Sequence, residues 1–253
     1  MQTAKETAQQ IYNELYALRG SEEWRRIHAN FFRTGKGQYG EGDMMVGVTV
    51  PNTRMIAKKY SDIGLPLVKG LLQSKYHEVR LCGLLILVIK YKQTMRRNKG
   101  MDAKQLSVLE KNRKQIIDFY LRHADRANNW DLVDLSAPYL LGQYLIDKPD
   151  RTILYTLASD PLLWRRRIAV VSTMMLIRAG QFDDTLRLVR LLVSDTHDLM
   201  HKAMGWMLRE VGKRDERTLT DFLDEMMPQL PRTTLRYAIE RLTPAQRAHY
   251  MQR

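Results

Sequence analysis

The sequence predicts an all-α protein built from stacked helix pairs, and three observations predict it. Apolar residues recur at three- and four-residue spacing along nearly the whole chain, as at Leu81, Leu84, Leu85, Val88 and Ile89, the period of a helix face packed on a core. No stretch alternates Val, Ile and Thr at period two as a half-buried strand would. Breaks rich in Gly, Pro, Ser or Asp fall at short intervals and divide the chain into roughly a dozen helices of about 8 to 20 residues.

In chain order, MQTAKETAQQIYNELYAL reads as a first helix: it mixes charged and apolar positions at helical spacing and lacks the basic-then-apolar pattern of a secretory signal. The glycine-rich GKGQYGEGD, from Gly35 to Asp43, lacks the Walker lysine followed by Ser or Thr and reads as a surface loop at the rim of a binding face. Further breaks fall at Pro51, Gly64 to Pro66, Asn98 to Gly100, Pro149, Asp160 to Pro161, Gly180, Ser194 to Thr196, Pro228 to Pro231, and Pro244. The longest apolar run, Leu81 to Ile89, is far shorter than the roughly 20 residues of a membrane span, so a soluble protein without a membrane partner is expected.

Three segments can be laid over one another: SKYHEVRLCGLL from Ser74, SDPLLWRRRIAVV from Ser159 and SDTHDLMHKAMGW from Ser194. Each carries Ser at a turn and a basic residue just before an apolar helix. Arg167 and Lys202 stand one such period apart, in the range of two-helix solenoid repeats. No stretch has the composition of a linker, so residues 1–253 read as one domain.

Of 253 residues, 41 are Lys or Arg and 28 Asp or Glu, a net charge of +13 that makes a polyanion the first partner to consider. With 44% hydrophobic residues the chain lies far from the composition of disordered proteins. The single cysteine, Cys82, excludes a disulfide framework and a thiolate metal cluster, and fits a reducing compartment, with the cytoplasm as default. It sits inside an apolar helix, as a core residue does. His197 and His201 have the spacing of a zinc pair, but HDLMH lacks the glutamate of the metalloprotease motif and no third ligand is suggested, so no metal is expected.

Charge and aromatic residues coincide in three places. On the helix MHKAMGWMLREVGK, Met200, Met204, Met207 and Val211 form a core stripe, while Lys202, Trp206, Arg209 and Lys213 form a second, outward stripe. The bland alternative is a Trp half-buried under a neighbouring repeat with Lys stems over it. In SDPLLWRRRIAVV, Trp164 and Arg167 share a face and Arg165 and Arg166 turn away from it. The helix beyond is apolar nearly all round, so only its amino-terminal rim can meet a ligand. In NNWDLVDLSAPYLLG, Trp130 and Asp134 are neighbours on one face. Asp131, in the first turn after the cap Asn129, is accounted for by the helix dipole. Asp134 lies deeper, where Pro138 removes the donor to its carbonyl and bends the helix. It is a functional candidate, with a salt bridge to another repeat's Arg as the alternative.

WDLVD from Trp130, SDPLLWRRRIAV from Ser159 and KAMGWMLREVGK from Lys202, in this order and at these intervals, resemble the AlkD-type DNA alkylation-repair glycosylases. GEGDMMVGVTVPNTR, from Gly40 to Arg54, is similar to that family's amino-terminal segment, and the resemblance spans roughly Gly35 to Gly212. It implies HEAT-like repeats in a C-shaped α-solenoid with a basic concave surface for duplex DNA, acting without metal or cofactor on alkylated purines such as 3-methyladenine and 7-methylguanine. Asp134 would be the catalytic carboxylate, Trp130 and Trp206 aromatic walls beside the lesion, and Arg167 and Arg209 backbone contacts. Lys202, Lys213, Trp164 and Arg166 complete the expected DNA-binding set, on a chain expected to act as a monomer. Better-known members carry a second aromatic where this chain has Asn129. The main alternative is a helical-repeat DNA-binding or scaffold protein without catalysis. A scaffold for an acidic protein is the third reading.

Overall fold

The computed structural model describes residues 4–95 and 101–252, and the turn expected from Asn98 to Gly100 lies outside them. The described residues are helical, with no strand among them beyond an isolated parallel bridge between Met44 and Tyr76. The helical periodicity of the sequence is borne out. No described helix is long and apolar enough to cross a membrane. The chain divides into two compact units, Met1–Ser136 and Ala137–Arg253.

The first unit contains α1 (Ala4–Ala17), α2 (Glu22–Phe31), α3 (Val50–Lys59), α4 (Leu65–Leu72), α5 (His77–Thr94), α6 (Ala103–Arg122) and the five-residue α7 (Trp130–Asp134). At its centre α5 is buried nearly all round, because α1, α3, α4 and α6 all pack on it. That explains its run of apolar residues on every face, and Cys82 is among them with its thiol pushed up to about 12 by burial. Asp102 opens α6 with a full capping box, its side chain taking the Gln105 N–H while Gln105 reaches back to the cap.

The second unit begins with a π-helical turn, Pro138–Gly142, that runs into the short α8 (Gln143–Leu145). It continues through α9 (Thr152–Ala158), α10 (Leu163–Arg178), α11 (Asp183–Leu191), α12 (Asp198–Gly212), α13 (Glu216–Met226), α14 (Arg232–Ala238) and α15 (Pro244–Met251). Here α10 takes the central place, packed by α9, α11 and α12. The α12 stripe of Met200, Met204, Met207 and Val211 is fully buried, as its spacing predicts. At Gly205 a Cβ would lie 2.5 Å from the Thr234 carbonyl, so only glycine lets α14 approach this closely.

The three segments laid over one another in the sequence share one turn geometry, in a shifted register. Ser74, Asp160 and Asp195 each accept the N–H two residues on through their side chains, from Tyr76, Leu162 and His197. Each also offers its carbonyl to the side chain six residues on, to Arg80, Arg166 and His201. The following helix begins at the third residue in every case. The matching positions are thus Ser74, Asp160 and Asp195, one residue beyond Ser159 and Ser194 in the second and third copies. His197 and His201 serve these turns, His197 also accepting the Leu199 N–H at 3.1 Å. No group of three or more His, Cys, Asp or Glu among the described residues could hold a metal ion.

Candidate functional site

The site is built from α7 upward. Asn129 caps it, its side-chain oxygen accepting the Trp130 N–H at 2.8 Å and its amide donating to the Phe32 carbonyl at 3.1 Å. Asn129 is fully buried and ties the start of α7 to the end of α2. Aromatic contacts reach Trp130 from another direction. The Phe32 ring stacks on it at 5.5 Å between centroids, and Phe31 meets it edge-on at 5.5 Å. The helix stops at Asp134, before Pro138, where the sequence places a bend.

Trp130 and Asp134, both half-buried, line one cavity of about 360 Å³ with His28, Phe31, Phe32, Met45, Val48, Val50, His77, Glu78, Leu81, Asp131 and Leu135. Beneath it lies a charged framework that the sequence reading did not find. His77 is buried between two carboxylates, its Nδ1 3.1 Å from Asp43 Oδ2 and its Nε2 2.8 Å from Asp131 Oδ2. Burial works against charge on this ring, but Asp131 and Asp43 outweigh it and push its pKa up to about 9, so both nitrogens donate at neutral pH. Asp43 also accepts from Arg80 Nη2 at 2.6 Å. Burial opposes the charge on Asp43 too, yet His77, Arg80 and Asn128 hold its pKa below the usual carboxylate range. Glu78 takes the backbone N–H groups of Val46, Gly47 and Val48 at 2.7 to 3.2 Å. These bonds buckle the segment from Gly40 to Val50 onto the start of α5.

Two expectations change here. Asp131 does more than face a helix dipole, being held against His77 in the interior. The loop from Gly35 to Asp43 is exposed in its first half, but Gly40 is buried against the Phe32 carbonyl, where a Cβ would stand 2.5 Å away, and Asp43 anchors the framework. The sequence signals available were the paired Phe31 and Phe32 before the loop and the acid that ends it.

The second unit holds the remaining site residues. Trp206, Lys202 and Arg209 are half-buried and Lys213 exposed, on the face of α12 opposite its core stripe. Each cation has a carboxylate at hand: Lys202 pairs with Asp198 at 2.7 Å, Lys213 with Glu210 at 2.9 Å, and Arg209 with Glu240. Arg166, half-buried, pairs with Asp195 at 2.7 Å. Trp164 and Arg167 differ from the rim position expected of them: both are buried, and Arg167 donates to the Leu199 carbonyl in the first turn of α12. A DNA contact by these two residues is carried by the resemblance alone.

The sequence profile of one family, described as DNA alkylation repair enzyme, matches residues 12–242. The chain belongs to this family. Among solved structures, a "Predicted DNA alkylation repair enzyme from Enterococcus faecalis" superposes with a TM-score of 0.62 at 14% identity, over 90% of this chain and 98% of that one, so the two share a fold. A search of curated proteins gives no match. The match of the DNA alkylation repair family covers all of α2 to α14, and with them Trp130, Asp134 and the α12 face.

Proposed function

We propose that this chain is a DNA glycosylase that excises cationic N3- and N7-alkylated purines from duplex DNA. The observation that carries the reading is the place of Asp134: a carboxylate at the end of a helix, lining an aromatic cavity beside Trp130 in a DNA alkylation repair enzyme. In this reading residues 1–253 form one functional domain with HEAT-like repeats, acting as a monomer in a reducing, cytoplasmic setting.

The chemistry needs little else. Hydrolysis of a glycosidic bond passes through an oxocarbenium-like sugar and ordinarily uses one acid to protonate the leaving group and a second carboxylate for the cation or the water. A purine alkylated at N3 or N7 is already cationic and leaves neutral, so the acid is dispensable. Asp134 stabilises the positive charge that develops on the deoxyribose and orients the water. Trp130 holds the cationic nucleotide by cation–π attraction, worth about 0.5 to 2 kcal/mol when desolvated. In the second unit Trp206 supplies an aromatic contact to the damaged strand, while Arg209, Lys202, Lys213 and Arg166 exchange their carboxylate partners for phosphates.

The test is release of free base from methylated duplex DNA without added metal. Wild type should liberate 3-methyladenine and 7-methylguanine and leave hypoxanthine and uracil, which are neutral in DNA, nearly untouched. Asp134→Asn should cut release by about 10² to 10³ or more while leaving DNA affinity within about twofold, because an amide keeps the shape but not the charge. Full activity in that variant would remove Asp134 from the chemistry. DNA binding with no release by wild type would leave the non-catalytic repeat protein as the reading.

A further inference from the structure

His77 has no part in the chemistry given above, yet the residues of the candidate site are assembled around it. Its ring is buried at the start of α5, with Phe32 against it at 4.7 Å between centroids. The two ring nitrogens reach two different segments: Nδ1 meets Asp43 at the end of the glycine-rich loop, and Nε2 meets Asp131 in the first turn of α7. Against the cost of burial, His77, Arg80 and Asn128 keep Asp43 ionised, so it has no proton to give back to the ring. Two carboxylates are served only by a ring that carries both N–H groups, because a neutral imidazole donates from one nitrogen and accepts at the other. The second proton is therefore part of the geometry.

The position of α7 depends on Nε2. This helix is five residues long, and so short a helix has few hydrogen bonds of its own to hold it. Its Asp131 accepts from His77 through Oδ2, while Oδ1 has no partner, so among the described residues the imidazolium is the one hydrogen-bond donor to this side chain. Trp130 precedes Asp131 directly and Asp134 follows it by one turn, so a turn released at Asp131 moves the indole and the carboxylate together. The other charged groups around the ring are Glu78 and Arg80 on α5, and His28 on α2, which burial keeps below the ordinary imidazole value. Glu78 is held by three backbone N–H groups, and Arg80 donates to Asp43 and to the Ser74 carbonyl.

We propose that His77 is a positioning residue for base excision: its doubly protonated ring fixes Asp131, and through it the turn that carries Trp130 and Asp134, so that excision slows when the ring loses its second proton. The proposal rests on the glycosylase reading and adds a pH control to the same site. His77 acts through Asp131 and leaves the nucleotide to Trp130 and Asp134.

The test is the single-turnover release of 3-methyladenine, a cationic lesion throughout the range, from methylated duplex at saturating protein. Anisotropy confirms that the DNA stays bound, and circular dichroism that the protein stays folded, at each pH. The wild-type rate constant should hold to about pH 8 and drop about tenfold by about pH 10, as the ring titrates near 9. Asp131→Asn keeps an acceptor for Nε2 but removes one of the two anions that favour the charged ring, so the same drop should move down by about one to three pH units. His77→Gln offers an amide that does not titrate and serves one carboxylate, and should be about 10- to 100-fold slower at neutral pH with no drop on raising it. A ring with a purely structural role would change the folded fraction and leave the midpoint of the rate where it was. Where His77→Gln fails to fold, the shift in Asp131→Asn decides. A flat wild-type profile, an unmoved midpoint in Asp131→Asn, or a drop in His77→Gln equal to that of wild type overturns the role of His77 and leaves the glycosylase standing. No release by wild type at any pH sinks the glycosylase reading, and the positioning role with it.

Discussion

The start of α5 and the start of α12 use the same turn, yet they place their charges in opposite ways. In the first unit Arg80, His77 and Glu78 turn inward and meet Asp43, Asp131 and three backbone N–H groups, all in the interior. In the second unit the cations around α12 stay at the surface and meet carboxylates one turn away or just past the end of α14. A buried framework is rigid, since removing one charge strands the others in low dielectric. A surface pair contributes little and its cation can change partner. The first arrangement holds a carboxylate and an indole at fixed geometry. The second suits a cation that must trade a glutamate for a phosphate.

The strongest way to break this comparison is to remove a charge from each side. His77→Ala leaves Asp43 and Asp131 without the cation between them, and should cost about 3 to 5 kcal/mol of unfolding free energy in urea. Arg209→Ala should cost no more than about 1 kcal/mol in the same measurement. Similar losses in the two variants would mean that the framework of the first unit is not the rigid element described here.

A smaller effect follows from the titration of His77. Its folded pKa, about 9, lies above the value of about 6.5 for a free imidazole. The stability it contributes is therefore fully present below about pH 6.5 and is lost as pH rises through 9. Asp43 has the opposite sign, its contribution present above about pH 4 and lost on acidification below that. Urea midpoints should fall from pH 6.5 to 9 in wild type, and this fall should vanish in His77→Gln. A wild-type midpoint that stays flat over that interval would mean that the imidazole is not held charged.

What was legible in the sequence was local. The stripe on α12, the Asn129 cap and the stop at Asp134 each follow from residues within a turn or two of one another. The buried framework was not legible, because His77 and Asp131 are 54 positions apart and nothing near either residue announces the other. Trp130 and Asp134 could be paired from helical spacing, but Phe32 reaches Trp130 only through the tertiary fold. The repeat register slipped by one for a chemical reason: Ser and Asp can both accept the N–H two residues on, and Ser159 and Ser194 stand directly before the Asp residues that do so. Arg167 shows the same limit, since a cation before an apolar helix reads alike whether it faces solvent or bonds a neighbouring helix.

That ambiguity sets the finest test of the comparison, within the second unit itself. If Arg209 and Lys202 work as exchangeable surface cations, replacing either by Ala should weaken binding to damaged and undamaged duplex alike and lower the slope of log K against log salt by about one unit. Arg167 is buried with its guanidinium on the Leu199 carbonyl, so Arg167→Ala should lower thermal stability and leave the salt slope unchanged. Anisotropy titrations at several salt concentrations, with melting temperatures for the same three proteins, separate the two behaviours. A salt slope reduced as much in Arg167→Ala as in Arg209→Ala would mean that the buried guanidinium swings out to meet a phosphate when DNA binds. The division between fixed and exchangeable charge would then run through the second unit, with Arg167 on the exchangeable side.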